Sequence, residues 1–241
     1  MRRMLVVLAL LVLPLSARGV ECPVGEGRGA ALTHIDAQAR LFFLQSHLSK
    51  EAPRAQRWFR AWTIGFSGLA AVQLLAPLVV KDRRVDFYVG AGASLVGLAA
   101  SLIGRPSVIS DGPAFVARVA GAPQDADPCV LVAEGERMLV HDAEMETTGR
   151  GPVMHILNVG FNVGVGLVLG FVFHRTTTAI VNTLVGTAIG EAQVLTRPRG
   201  LVDALKRYDA GLPDPPARPW RWQLAPTLDE RSAGLTLLAT F

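Results

Sequence analysis

Little in this chain of 241 residues advertises chemistry. Cysteine and tyrosine each occur twice, aromatic residues make up 7% and charged residues only 18%. Two cysteines exclude a disulfide-dense scaffold and a cysteine-ligated zinc site. So few charges, with 50% hydrophobic residues and a mean hydropathy of +0.35, exclude a disordered chain and an ordinary soluble enzyme. There is no Walker loop, dinucleotide-binding glycine pattern, G-x-S-x-G or H-E-x-x-H. The expectation is a non-enzyme with no metal and no cofactor. The formal charge of +4 and pI near 9.6 do not point to nucleic acid, because so apolar a chain is placed by its hydropathy first.

What the sequence does have is apolar length. Met1-Arg2-Arg3, an apolar run from Met4 to Leu15 and Ser16-Ala17-Arg18-Gly19 read as a signal peptide over residues 1–19. Cleavage would remove Arg2, Arg3 and Arg18 and leave 21 basic residues against 20 acidic ones. Four later segments reach spanning length: Ala61–Val80, Val85–Gly104, Val153–Phe173 and Thr176–Leu195. Small residues recur four apart within them, at Gly160/Gly164, Gly166/Gly170, Gly186/Gly190 and Ala93/Gly97/Ser101. That spacing suits close helix contact in lipid. The links Lys81–Arg84 and His174–Thr176 allow only tight hairpins.

The hairpins resemble each other. Ile64-Gly65-Phe66-Ser67 is matched by Val159-Gly160-Phe161-Asn162, and Ile103-Gly104-Arg105-Pro106 by Leu195-Thr196-Arg197-Pro198. Each copy opens near a cysteine, continues through a polar helical stem, breaks (at Pro53, or at Gly149 to Pro152) and enters a spanning hairpin. Both enter from the same side, as in a parallel repeat about an axis along the membrane normal. The first stem, Thr33–Arg60, is rich in arginine, with Ile35, Phe42, Leu44 and Leu48 at helical spacing. The second, Leu131–Thr148, carries Glu134, Glu136, Asp142, Glu144 and Glu146, with Leu131, Met138 and Met145 on its apolar face. The stems are expected to pack side by side outside the membrane, with a solvated acidic face against the basic one. Cys22 and Cys129 would then bridge them in an oxidising compartment. Glu134, His141 and Glu144 supply metal-ligand types, but without the paired Glu-x-x-His motifs of a di-iron bundle.

Residues 105–128 read as a connecting loop before the second stem, the two together filling 105–152. After Arg197 comes an amphipathic stretch, Gly200–Tyr208, a proline-rich linker over Gly211–Pro219, and alternation at Trp220, Trp222, Leu224 and Leu235, Leu237, Ala239, Phe241. That period of two predicts a C-terminal β-hairpin within 197–241. An outer-membrane barrel strand ends in the same way, but four helical spans argue against a barrel. The topology signals conflict. Lys81, Arg83 and Arg84 place the first turn inside, whereas Arg54, Arg57, Arg60, Arg197, Arg199, Lys206 and Arg207 load the other flank. The signal peptide decides for external stems and tail.

The informative polar residues lie at membrane depth. His155, Asn158 and Asn162 share a face of the third span, and Asn182, Gly186, Ile189 and Gln193 share one of the fourth, with Glu191 nearly opposite that face. Such residues line a binding path or hydrogen-bond neighbouring helices, and packing is the simpler reading. Trp58 and Trp62 mark an interfacial belt. The stretches Gln56-Arg57-Trp58-Phe59-Arg60-Ala61-Trp62 and Gly190-Glu191-Ala192-Gln193-Val194-Leu195-Thr196-Arg197-Pro198 resemble uncharacterised multi-pass membrane proteins of high-GC bacteria, a likeness that covers Thr33 to Tyr208 and implies no activity. The excess of arginine (21, against 3 lysines) fits such a genome.

The expected fold is therefore mostly α: a four-helix transmembrane bundle of two repeated hairpins, external helical stems over 20–60 and 105–152, and a small C-terminal β-hairpin. The expected role is that of a scaffolding or partner-binding protein of the bacterial inner membrane, in contact with membrane lipid and with another envelope protein through stems and tail. The alternative is a small oligomeric transporter or a lipid- or small-molecule-binding protein using His155, Asn158, Asn162, Asn182, Glu191 and Gln193. An intramembrane enzyme using His155 and Glu191 is the third.

Overall fold

The computed structural model describes residues 20–25, 28–212, 221–229 and 232–240. The signal-peptide assignment for residues 1–19, the linker from 213 and the terminal Phe241 lie outside the described residues. Seven helices, α1 Ala37–Leu75, α2 Arg84–Ile103, α3 Val108–Ala120, α4 Pro128–Thr148, α5 Pro152–Leu167, α6 Thr176–Thr196 and α7 Gly200–Asp209, make the protein mostly helical. Residues Arg221–Asp229 and Ser232–Thr240 pair antiparallel along the backbone.

Helix α1 starts where the Asp36 carboxylate accepts the amide N–H groups of Gln38 (2.9 Å) and Ala39 (3.0 Å). It then runs unbroken for 39 residues, about 58 Å at 1.5 Å per residue. First stem and first span are thus one rod, and the break expected at Pro53 does not occur. A proline inside a helix forfeits one backbone bond. Here packing on both sides holds the rod through it: Leu48, Ala52 and Ala55 are buried, and a Cβ on Gly112 of α3 would lie 2.7 Å from the Leu48 carbonyl oxygen. The break expected around Gly149 is present between α4 and α5.

The N-terminal half of α1 packs with α3, α4 and α7 into an external helical domain with its own apolar core. Leu32, Leu44, Leu48, Phe115, Leu139 and Leu201 are fully buried there. Ala37, Leu41, Leu44, Leu48, Ala52 and Ala55 form the inward stripe of α1. Phe42 is exposed, in contrast to its expected place on that stripe, because two residues from Leu44 lies on the far side of a helix. The loop expected over residues 105–128 contains α3. Gly112 and Pro113 disguised a helix whose Val108, Gly112 and Phe115 recur at i, i+4 and i+7 and are buried. The disulfide between Cys22 and Cys129 closes the N-terminal segment onto the start of α4.

The remaining surface is of another kind. Ile64, Val72, Leu78, Val79, Ile103, Ile156, Phe171 and Leu184 are all exposed, with Ile103 86% exposed and Val79 85%. Water does not tolerate an apolar belt of that extent. The helical stretches Ala37–Leu78, Lys81–Ala120 and Pro128–Val172 each hold a segment long and apolar enough to cross a bilayer, which makes this a membrane protein. Helix α6 matches them in length but is made more polar by Asn182, Glu191 and Gln193. Helix α1 packs on α2, and α5, extended by one π turn over Val168–Val172, packs on α6. The turn before α6 uses His174 in the left-handed region, at φ 53°.

Helices α2 and α6 are tied at both ends. At the turn end Arg175 donates to the Asp82 carbonyl (3.2 Å) and Thr178 to the Asp86 carboxylate (3.2 Å). At the domain end Gln193 donates to the Ser101 hydroxyl (2.7 Å) and Arg197 to the Gly104 carbonyl (3.1 Å). All four ties join residues 92 or 93 positions apart.

A candidate site between the hairpins

The second hairpin closes on a ladder of carboxamides and glycines. A Cβ on Gly190 would fall 1.8 Å from the Asn158 Oδ1, and one on Gly186 2.0 Å from the Asn162 Oδ1. These two glycines are therefore what lets α6 approach α5. Asn162 donates to the Asn158 side chain and carbonyl, both at 2.9 Å. Asn158 donates to the Thr187 carbonyl (3.0 Å) and to Glu191 (2.8 Å), whose other oxygen meets His155 Nδ1 at 2.5 Å. Gly160 and Gly164 have open space around them and take no part in helix contact, contrary to their spacing. The Gly190→Leu chain should therefore lose its monodisperse folded peak in detergent, whereas Gly164→Leu should keep it. Equal behaviour of the two on size-exclusion chromatography would refute this packing.

His155, Asn158, Asn162 and Glu191 thus form one network. Glu191 stands off the side of α6 that carries Asn182, Gly186, Ile189 and Gln193, which lines the cavity, and meets α5 from the border of the side that runs along Ala179, Thr183, Gly186 and Gly190. Asn182 and Gln193 do not join them. Gln193 turns to Ser101 on α2, and the Asn182 side chain makes no hydrogen bond among the described residues. The first hairpin closes without any charged side chain, by Phe66 against Gly97 and by Ser94 donating to Gln73 (2.8 Å). Gln73 was a readable signal, a lone carboxamide in an apolar run. Trp58 and Trp62 do more than mark an interface, since both indoles donate to Thr196 (3.2 Å each) and tie α1 to the end of α6.

Between the hairpins lies a cavity of about 430 Å³, lined by all four membrane helices. Its walls are apolar, with Gln73, Ser94, Asn158, Asn162, Asn182 and Gln193 as polar points. His155 and Glu191 stand outside the lining.

A second polar cluster lies where the external domain meets the membrane. The acidic stem is solvated only in part: Glu144 is exposed and Glu134 half-buried, whereas Glu136, which pairs with Arg40 of the basic stem, Asp142 and Glu146 are buried. Their burial follows from partners elsewhere in the chain. Glu146 accepts the N–H groups of Leu201 (2.9 Å) and Val202 (3.2 Å), capping α7 in place of a local side chain. Asp142 accepts the Ser107 hydroxyl. One oxygen of each carboxylate has no protein partner. Burial pushes Asp142 up to about 6, with Asp111 adding to the rise, and Glu146 up to about 7, with Glu51 and Asp142 adding. Both acids hold a proton more tightly folded than unfolded. Unfolding then releases protons between about pH 4 and 7, and stability rises as pH falls through that window. The protein in detergent should melt higher at pH 5 than at pH 7.5, and Glu146→Gln should raise the pH 7.5 melt and flatten the profile. A melt that falls with acid, or a Gln variant that tracks the parent, would contradict it.

Comparison with protein-family models, curated proteins and solved structures finds no match for the chain. Fold and site together define the class of a multi-span helical membrane protein with a disulfide-bonded extramembrane domain.

Proposed function

We propose that this is a non-enzymatic protein of the bacterial inner membrane that holds an apolar or amphipathic small molecule between its two hairpins. The cavity lined by α1, α2, α5 and α6 carries this reading. Helix α6 is the fourth span, because it lies along α5 and so shares its depth. The external domain is periplasmic: its disulfide suits an oxidising compartment, and Lys81, Arg83, Arg84 and Arg175 gather at the opposite, cytoplasmic turns. On the external flank Arg197 is buried and Arg54 pairs with Glu51, while Arg57 and Arg60 are exposed. The two hairpins are parallel repeats, and the recurring separation of 92 or 93 across the α2–α6 ties supports this. Native mass spectrometry of the protein in lipid nanodiscs tests the binding role. A bound small molecule should be present in the parent and lost in Ala93→Phe, which fills the cavity; retention would end the proposal.

A second reading, a scaffold for another envelope protein, draws on the external domain, where a groove of about 500 Å³ runs between Pro23, Val24 and Arg28 and the Arg137–His141 face of α4. The C-terminal β-hairpin would extend that surface. A specific partner that co-purifies with the full chain and is lost on deleting residues 220–241 would favour it.

A further inference from the structure

We infer that the inter-hairpin cavity selects an uncharged lipid bearing a carbonyl or hydroxyl oxygen, with that oxygen at the Gln73 and Asn182 end. The inference rests on the binding role proposed above. No charged side chain lines the cavity. The nearest ionisable pair, His155 with Glu191, is spent on itself and on Asn158. A charged headgroup brought here would lose its hydration and find no counter-charge. A bare hydrocarbon is no better matched, because three carboxamides keep hydrogen-bonding capacity that the protein leaves unused. Gln73 accepts from Ser94 through its oxygen and has its amide N–H₂ left over. Gln193 donates to Ser101 and has its oxygen left over. Asn182 makes no side-chain bond at all among the described residues. Burying such groups against pure hydrocarbon costs free energy that one oxygen in the ligand recovers.

Position decides which end takes the head. Gln73 lies against Gly90, where a Cβ would meet its amide nitrogen at 2.9 Å. Asn182 is 92 residues beyond Gly90, the same separation that brings Ser101 to Gln193 and Asp86 to Thr178, so it stands level with Gly90. Two of the three carboxamides thus converge at the end of the cavity away from the external domain. From Gly90 to Ala100 the α2 wall is about 15 Å long, half of a hydrocarbon core of about 30 Å. That length suits one chain reaching in from one leaflet.

The test is equilibrium binding of pyrene-labelled dodecanol to the full chain in nanodiscs, competed at pH 8 by dodecanol, dodecanoate and dodecane. Dodecanol should compete at least tenfold better than either other chain. Asn182→Leu and Gln73→Leu should each reduce that preference about tenfold, the worth of one hydrogen bond, with the melting temperature kept in Asn182→Leu and lowered in Gln73→Leu, which also strands the Ser94 hydroxyl. Asn182 makes no side-chain bond among the described residues, so its replacement removes none of the hydrogen bonds described above. If Ala93→Phe abolishes saturable binding but dodecanoate competes as well as dodecanol, the cavity binds and the selectivity inferred here is wrong. Unchanged preference in both Leu variants overturns it equally. If the parent shows no saturable binding, or is a dimer that Ala93→Phe dissociates, the binding role fails as well and a second copy is the occupant.

Discussion

Replacing Arg40 by methionine is expected to cost the external domain about 3–5 kcal/mol, the usual penalty for stranding one partner of a buried ion pair. The Arg40 side chain is fully buried. Its guanidinium donates to the carbonyls of Cys22 (3.0 Å) and Pro23 (3.4 Å), to the Tyr208 hydroxyl (3.0 Å) and to Glu136. Tyr208 donates to the same Glu136 carboxylate. Burial alone would pull the guanidinium pKa down, but its bonds to Glu136 and Tyr208 more than offset that, and the net shift is upward. Four chain segments therefore converge on one cation. Without it, the buried Glu136 carboxyl is left with a single hydroxyl donor, and two carbonyls of the N-terminal segment lose their donor. The double replacement Arg40→Met with Glu136→Leu should regain a large part of the loss, because neither charge is then left alone. Thermal melts of the full-length protein in detergent would read the difference as a drop on the order of 10 °C for the single variant and clearly less for the double. A double variant no more stable than the single one would mean that packing by the arginine stem, not charge balance, dominates.

Arg40 also shows where sequence reading reaches its limit. The helical spans were legible because twenty apolar residues in a row have few other fates, and the two stems because their periodicity is local. Cys22 and Cys129 could be paired because each precedes a stem, and stems that pack bring their starts together. Helix α3 was hidden by Gly112 and Pro113, which mark loops statistically but here serve close approach to the α1 backbone. Glu136, Asp142 and Glu146 of α4 were assigned to water with Glu134 and Glu144, on composition. Their burial depends on an arginine 96 positions away and on amide groups 55 and 56 positions away, and no local pattern encodes such partners. In the membrane the residue types of the polar network were readable, and so was the α5 face. That Glu191, off the Asn182–Gln193 face, still meets α5 was not, because it depends on how α6 is rotated about its axis, and that rotation is set by which glycines meet Asn158 and Asn162. Asn182 and Gln193, grouped with Asn158 and Asn162 by helical spacing, do line one cavity with them but make no hydrogen bond to them, and His155 and Glu191 are the two that stand outside its lining.

Removing the disulfide should destabilise the external domain by a comparable amount. Cys22 and Cys129 lie 107 residues apart, and a cross-link closing a loop of about 100 residues contributes about 4.7 kcal/mol in the chain-entropy model. In the membrane the α1–α2 hairpin remains seated when the external domain unfolds, so the free loop is shorter than the sequence separation. That correction is small, since halving a loop changes closure entropy by only about 0.6 kcal/mol. About 4 kcal/mol is the expected loss for Cys22→Ser, Cys129→Ser or both together, because the cross-link is lost only once. The bridge also holds the N-terminal segment in place. There the Val20 carbonyl accepts the Ala37 amide (2.8 Å), and the carbonyls of Cys22 and Pro23 accept from Arg40. Cys22→Ser and Arg40→Met therefore remove overlapping sets of contacts, and combining them should cost less than the sum of the two. Melts of the four proteins, with and without reductant, separate the outcomes. Additive losses would show that the disulfide acts on the unfolded chain alone. A parent that melts identically with and without reductant would show that the bridge adds nothing to stability. A sub-additive result would identify the Cys22–Arg40–Glu136 contact as one cooperative unit, the point at which the N-terminal segment, α1, α4 and α7 are held together above the membrane.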